Sequence, residues 1–334
     1  MRITRETLLK TAKETAAERT RQDRRLVCIY LTGSLLQDSP LLGGTTDIDL
    51  VIVHDSDPAR AREITRLTDE VHLDIAHLSA AVFRQPRHLR LDPWLGGYLC
   101  NNARVLYDVG HWFEFTQASV CAQFGRPEYV LQRARPLAEF ARQNWLDLHS
   151  HSIETNPEKV QTYLKCLTDA ANAIACLNGP PLTERRFIIN YPARTEAVGR
   201  PGLAAGLVDL FTNQTVSDEL WQSWTIDWIK TLQSAGSIEN CSPRLLACRL
   251  PYYERAVAAL REEAPAAALW LLFRTWTLAI SCLPQNMDVL RPWLSACQAI
   301  ELDESHFENR LNSLDAYLDS VEETLDDWSQ QMGL

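Results

Sequence analysis

Residues 31–50 read Leu31-Thr-Gly-Ser-Leu-Leu-Gln-Asp-Ser-Pro-Leu-Leu-Gly-Gly-Thr-Thr-Asp-Ile-Asp-Leu50. An apolar run of strand length, Leu26–Leu31, leads into Gly33-Ser34. A polar, glycine-containing loop follows, and a second apolar run, Asp47–Val53, opens on Asp47-x-Asp49. Residues i and i+2 of a strand point to the same face, so the two carboxylates project together. Like charges that close repel each other unless a cation lies between them. Mg²⁺ meets that need, because it takes one or two carboxylates together with phosphate oxygens and water. Gly33 lets a backbone approach a phosphate closely, and Ser34 offers a hydroxyl and an N–H as donors.

Working outward, a third apolar run, Val71–His77, carries Asp74 in its middle. An acid inside an otherwise buried strand is costly without a partner. If that strand lies beside the Asp47–Asp49 strand, Asp74 completes a three-carboxylate cluster, as a third metal ligand or as a general base towards an attacking hydroxyl. The residues themselves leave both roles open. Upstream, Arg5–Arg24 reads as an amphipathic helix. Between the second and third runs, Pro58–Glu70 is expected to be helical, with Asp57 as N-cap and Pro58 at the first helical position. Helix, strand, loop, strand, helix and strand in that order give an α/β or α+β unit.

Beyond about Phe113 the strand signals stop. Glu128–His149 is expected to be helical with a kink at Pro136, and Pro157–Leu177 to be a helix capped by Asn156 with Gly179 just past its end. Ser217–Ala235, Pro243–Arg249, Tyr252–Glu262, Pro265–Leu283, Met287–Ile300 and Ser305–Gln330 continue in the same style. The expected fold class is therefore α+β, with a small mixed-sheet domain over residues 1–112 followed by an all-helical bundle domain over residues 113–334.

Composition narrows the function classes. Of 334 residues, 46% are hydrophobic and 23% charged, the mix of a globular chain with a sizeable core. The net charge of −10 argues against broad, sequence-independent nucleic-acid binding, which needs clustered Lys and Arg. The nine cysteines include no CxxC pair, so neither a zinc ribbon nor a disulfide framework is expected, and most should be reduced. The N-terminal stretch MRITRETLLKTAKETAAERTRQDRR carries charges throughout and no apolar core, so no signal peptide is expected and the cytoplasm is the expected compartment. The apolar stretch Ala264–Leu283 contains Pro265 and Arg274 and is read as a buried core helix, not a membrane span.

Gly-Ser, a loop, Asp-x-Asp at a strand start and a third acid on a later strand resemble the nucleotidyltransferase superfamily of the DNA polymerase β type. The first ~110 residues resemble its minimal catalytic domain, and the helical remainder is similar in layout to the C-terminal domains of aminoglycoside-type antibiotic nucleotidyltransferases. The family usually has Ser before the first Asp, where this chain has Thr46. The resemblance implies Mg²⁺-dependent transfer of a nucleoside monophosphate, AMP from ATP as the expected NTP, to a hydroxyl, with pyrophosphate leaving. Asp47, Asp49 and Asp74 would be the catalytic and metal residues, and Gly33 and Ser34 would bind the nucleotide. Lys165, Arg185 and Arg186 are the basic candidates by position for the triphosphate. The expected partners are the nucleotide and a small-molecule, aminoglycoside-like acceptor, with no membrane and no nucleic acid. Transfer to RNA or protein, or a non-catalytic antitoxin-like binding role, are the alternatives.

Other clusters have plainer readings. Asn101-Asn102, with Arg104 and Tyr107, could line a base or ribose pocket but reads better as a polar turn at the edge of the first part. The acids Asp315, Asp319, Glu322, Glu323, Asp326 and Asp327 read as a solvated helix face rather than a wall for an aminated sugar. Trp221, Trp224 and Trp228 recur at helical spacing and read as core. Arg142 and His149 lie two helical turns apart, a spacing similar to that in HEPN ribonucleases. His149 with His151 forms a possible metal pair that reads better as surface loop.

Overall fold

The computed structural model describes residues 3–150, 154–212, 214–239, 242–284 and 287–334. The chain divides into two units, Met1–Val130 and Leu131–Leu334.

The first unit contains α1 (Arg5–Gln22), β1 (Leu26–Thr32), β2 (Thr46–His54), β3 (Arg62–Arg66), β4 (Val71–Ser79), α2 (Pro86–Leu91), α3 (Leu95–Asn101), β5 (Ala103–Asp108) and α4 (Trp112–Phe124). The strands form one mixed sheet in the order β3-β4-β2-β1-β5. β2 and β4 pair in parallel, and the other three pairings are antiparallel. β2 reads as an almost unbroken apolar run because both of its faces are covered. Ile48, Leu50 and Ile52 pack with Leu8, Ala12 and Ala16, which sit four residues apart along one side of α1. Val51 and Val53 face the other way, towards Leu89, Leu99, Val120 and Phe124 of α2, α3 and α4. Period two then puts Asp47 and Asp49 on the α2–α4 face. On β4, Leu73 and Ile75 pack towards α1, so His72 and Asp74 share the face of Asp47 and Asp49.

Two expectations are corrected here. The stretch expected to be the helix Pro58–Glu70 contains β3, paired antiparallel with β4. Its proline and acidic N-cap fit a helix start, but its partners lie on two faces. Arg62 meets Asp74 of β4, whereas Glu63 meets Arg19 of α1. A strand gives these consecutive residues opposite directions, and the weak local preference for helix yields to the tertiary pairing. The Thr68 hydroxyl accepts from the N–H groups of Glu70 and Val71 and turns the chain from β3 into β4.

The second correction concerns the cysteines. Cys100 of α3 and Cys121 of α4 form a disulfide, with their Cα atoms 5.4 Å apart. No local spacing motif marks the pair, because the helix packing brings it together. Cys28, Cys166, Cys176 and Cys297 are buried free thiols. Closing a loop of 21 residues should stabilise the first unit by roughly 2–4 kcal/mol. Cys121→Ser is therefore expected to lower Tm, and a reducing agent should lower the wild type to the variant's value while leaving the variant unmoved. An equal effect of reductant on both would disprove the contribution.

On the α1 face, His54 Nε2 and His77 Nδ1 lie 3.0 Å apart. Glu63 Oε2 stands 3.6 Å from His77 Nε2, and Asp23 Oδ2 4.0 Å from His54 Nδ1. Burial lowers the pKa of both rings. For His77, His54 and Arg60 act in the same direction and Glu63 against it; for His54, Arg25 acts with burial, and Asp23 and Asp55 against it. The unfolded chain then takes up protons near the ordinary value of 6.5, before the folded one does. The pair's contribution to stability is thus complete above about pH 6.5 and is lost as the pH falls through the lowered native values. His77→Asn is expected to flatten the dependence of Tm on pH below that point, and a slope equal to wild type would refute it.

α5 (Pro127–Ser150) crosses the boundary between the units in sequence. The second unit continues with α6 (Pro157–Ala175), α7 (Phe187–Ala197), α8 (Gly202–Phe211), α9 (Asp218–Gly236), α10 (Leu250–Glu263), α11 (Pro265–Cys282), α12 (Met287–Ala299) and α13 (Phe307–Gln331). Asn156 caps α6 by accepting from the Lys159 N–H. The segment expected as a helix from Pro243 to Arg249 is two short 3-10 turns. α11 is long and apolar enough to cross a membrane, but 67% of it is buried within the chain. Its threonines explain how indoles enter this core: Trp228 Nε1 donates to Thr275 Oγ1 at 2.9 Å, and Trp293 Nε1 to Thr277 Oγ1 at 3.1 Å. A buried indole N–H without such a partner would be costly. Trp221 and Trp224 are buried with Trp228, as expected of core.

Candidate functional site

β2 and β4 are in register with Asp49 opposite Asp74 and Asp47 opposite His72. A parallel neighbour in that register, on one face, brings the three carboxylates together. One oxygen from each of Asp47, Asp49 and Asp74 lies within 4.8 Å of the others. Asp47 and Asp74 are buried, and Asp49 is half-buried. His72, fully buried, places Nδ1 3.7 Å from Asp47 Oδ1.

β1 supplies the other wall. It runs antiparallel to β2 with Thr32 opposite Asp49, so the chain leaves β1 at Gly33 directly beside that carboxylate. Gly33 has φ of 78°, and a Cβ there would stand 2.1 Å from Asp49 Oδ2. Only glycine accepts both that backbone and that approach. Ser34 Oγ lies 3.2 Å from Thr46 Oγ1, and Thr46 Oγ1 donates to the Pro40 carbonyl at 3.1 Å. The threonine in place of the resembling family's serine therefore ties the loop after Ser34 to the start of β2.

One residue at the site escaped the sequence reading, and another has a role there that the sequence did not show. Arg62 of β3 donates from Nε and Nη2 to the two oxygens of Asp74, both at 2.7 Å. This fork orients the carboxylate and offsets one of the three charges. Three carboxylates and one guanidinium leave a formal charge equal and opposite to that of one divalent cation. Reading residues 62–66 with period two would have placed Arg62 on the face of Asp74. The other residue is Asn102, which follows α3. Its Nδ2 donates to the Gly33 carbonyl at 2.8 Å, and its own carbonyl accepts from Thr32 Oγ1 at 2.8 Å. The sequence offered Asn102 as a base or ribose contact or, more plainly, a polar edge turn, and gave no sign of its hold on the Gly33 carbonyl.

The donor set consists of hard carboxylate oxygens, which suits Mg²⁺ or Mn²⁺ better than a thiophilic metal. Repulsion among three clustered acids also fits a cation there. No family model matches the chain, and no curated protein matches it. Among solved structures it is similar to a nucleotidyltransferase-like protein from Exiguobacterium sibiricum. The identity is 11%, over 94% of this chain and 89% of that one, with a TM-score of 0.28. A likeness that slight carries no weight for function.

The remaining candidates lie in the second unit. Lys165 of α6 donates to Asp169 at 2.8 Å, one helical turn away. Arg185 lies on the short 3-10 turn Glu184–Arg186, with its guanidinium 3.5 Å from the centre of the Tyr252 ring. Burial, and after it Arg185, lowers the pKa of Arg186.

Arg142, weighed as a ribonuclease residue, donates to Asp315, Asp319 and Glu322 of α13 at 2.5, 2.6 and 2.9 Å. An arginine held by three carboxylates fastens α5 to α13 and faces a charge that repels RNA phosphate. His149 packs against Trp145, ring centres 4.6 Å apart, and His151 lies outside the described residues. The acids of α13 are more than a solvated face: Asp326 and Asp327 also pair, with Arg135 and Arg200.

Proposed function

We propose that this protein is a nucleotidyltransferase dependent on a divalent metal, moving a nucleoside monophosphate, AMP from ATP, to a hydroxyl of a small-molecule, aminoglycoside-like acceptor. The observation that carries this reading is the convergence of Asp47, Asp49 and Asp74 beside the Gly33 turn on one face of the sheet. Asp47, Asp49 and Asp74 would hold Mg²⁺, whose chemistry when bound is charge neutralisation at a phosphate undergoing in-line displacement. Gly33 lets the turn pack directly on Asp49, which sets the Ser34 N–H and hydroxyl beside the carboxylates as donors to a triphosphate. Arg62 orients Asp74, and the closeness of Asp74 to the other two acids supports the ligand role over that of base. Catalysis in such a site rests on positioning and charge rather than on covalent chemistry by the protein. The resemblance in motif order supplies the acceptor class, and the chain's negative charge is compatible with an aminated acceptor.

The test is a thermal-shift titration with each of the four NTPs, with and without Mg²⁺. A ligand that binds only the native state raises its stability by mass action. A Mg²⁺-dependent shift names the donor and opens a screen of hydroxylated acceptors for pyrophosphate release. Label transferred from ATP to RNA or protein would replace the small-molecule acceptor with a macromolecular one. Absence of any shift and of any pyrophosphate release would overturn the reading.

A further inference from the structure

We infer that Asn102 is a positioning residue for nucleotide, acting through the Gly33–Ser34 peptide; the inference rests on the reading of this turn as a triphosphate site. In a trans peptide the carbonyl and the following N–H point in opposite directions. Asn102 Nδ2 holds the Gly33 carbonyl at 2.8 Å, so the Ser34 N–H is aimed away from Asn102. At the same time Gly33 packs so closely on Asp49 that no side chain fits between them. The Gly33 carbonyl also accepts from the Leu36 N–H at 3.2 Å, and Asn102, with the shorter bond, joins it in setting which way a donor points at the very residue that borders the carboxylates.

Asn102 is itself held from several sides. Its carbonyl accepts from Thr32 Oγ1 at 2.8 Å, which closes a reciprocal pair of bonds with the end of β1. Its N–H donates to the Tyr98 carbonyl at 2.9 Å, as the cap of α3. Two residues earlier the Cys100–Cys121 disulfide anchors α3 to α4, and Gln117 Nε2 of α4 donates to the Leu99 carbonyl at 2.8 Å. A side chain so fixed at its base imposes its geometry on Gly33 instead of following it. Asn102 makes none of its hydrogen bonds to Asp47, Asp49 or Asp74. Its effect should therefore fall on nucleotide and not on the metal.

The experiment measures binding of Mn²⁺ alone by electron paramagnetic resonance, and of ATP in the presence of Mn²⁺ by calorimetry. The proteins are wild type, Asn102→Ala, Asn102→Asp and Thr32→Val. Asn102→Asp keeps the shape, removes the donor and adds a negative charge, so it is read against Asn102→Ala, which adds none. Asn102→Ala is expected to bind Mn²⁺ as wild type does, within about twofold, and both Asn102 variants to bind ATP at least about tenfold more weakly, the worth of one lost hydrogen bond in a positioned site. Thr32→Val, which frees the Asn102 carbonyl, should weaken ATP in the same direction by less. In turnover the loss should appear in KM for the nucleotide more than in KM for the acceptor. ATP binding unchanged in both Asn102 variants overturns the inference and leaves the site reading standing. Equal losses of Mn²⁺ and ATP would make Asn102 a structural residue and overturn it as well. A wild type that binds Mn²⁺ but no nucleotide overturns the site reading, and this inference with it.

Discussion

Asp47→Asn abolishes nucleotidyl transfer and leaves the fold unchanged: that is the expected result for the first residue of the carboxylate cluster. Asparagine keeps the shape of the side chain, so the packing around the start of β2 is retained. What it removes is one of three charges that lie within 4.8 Å of each other. Without metal that removal relieves repulsion, and Tm should equal or exceed that of wild type. With Mn²⁺ present, wild type should gain stability and the variant should not. Loss of an outer-shell partner typically costs about 10–100-fold in metal affinity, and loss of a direct ligand should exceed that. Mn²⁺ titration with pyrophosphate release measures both effects. A variant that keeps turnover would sink the mechanism.

Gly33→Ala is the second large effect, and it acts without altering any charge. The added Cβ would fall 2.1 Å from Asp49 Oδ2 and 2.8 Å from its Cγ, on a backbone with φ of 78°. Either the carboxylate swings away from Asp47 and Asp74 or the turn leaves the position that Asn102 holds. Transfer should fall on the order of 100-fold or more, with about 1–3 kcal/mol of destabilisation from the strained residue. Gly44 is the control. Its φ is 73°, but nothing lies within 4 Å of an added Cβ. Gly44→Ala should therefore show a similar backbone penalty and near-normal transfer. Equal losses of transfer in the two variants would remove the contact with Asp49 as the cause.

The sequence carried the parts of this site that are local and lost those that depend on pairing. Asp47 and Asp49 are two apart on an apolar strand, and their common face follows from strand geometry alone. Asp74 stood out because a carboxylate in Val71–His77 needed a partner, which Arg62 supplies through the pairing of β3 with β4, while the parallel register of β4 on β2 brings it to Asp47 and Asp49. Arg62 was hidden by a segment whose proline and charges favour a helix until β4 offers it an edge. Asn102 was visible as a polar residue, but its task lies 69 positions away at Gly33. Cys100 and Cys121 carry no local signal at all, because they meet only when α3 packs on α4. In the helical unit the indoles were legible as core, whereas the threonines that let them be buried were not.

The order of the strands bears on how the site comes into being. β4 lies between β2 and β3, although both precede it in the chain. β3 and β4 are joined by a short turn and can form first as a hairpin, a local event that carries Arg62 and Asp74 together. Asp47 and Asp49 belong to the other side of the seam, and the two halves meet only when the hairpin docks on β2. An ion shared by all three acids recognises the docked sheet and neither half alone. It would act as a clasp across the one parallel seam in the sheet, so that amide exchange along β3 and β4 slows when the clasp is shut.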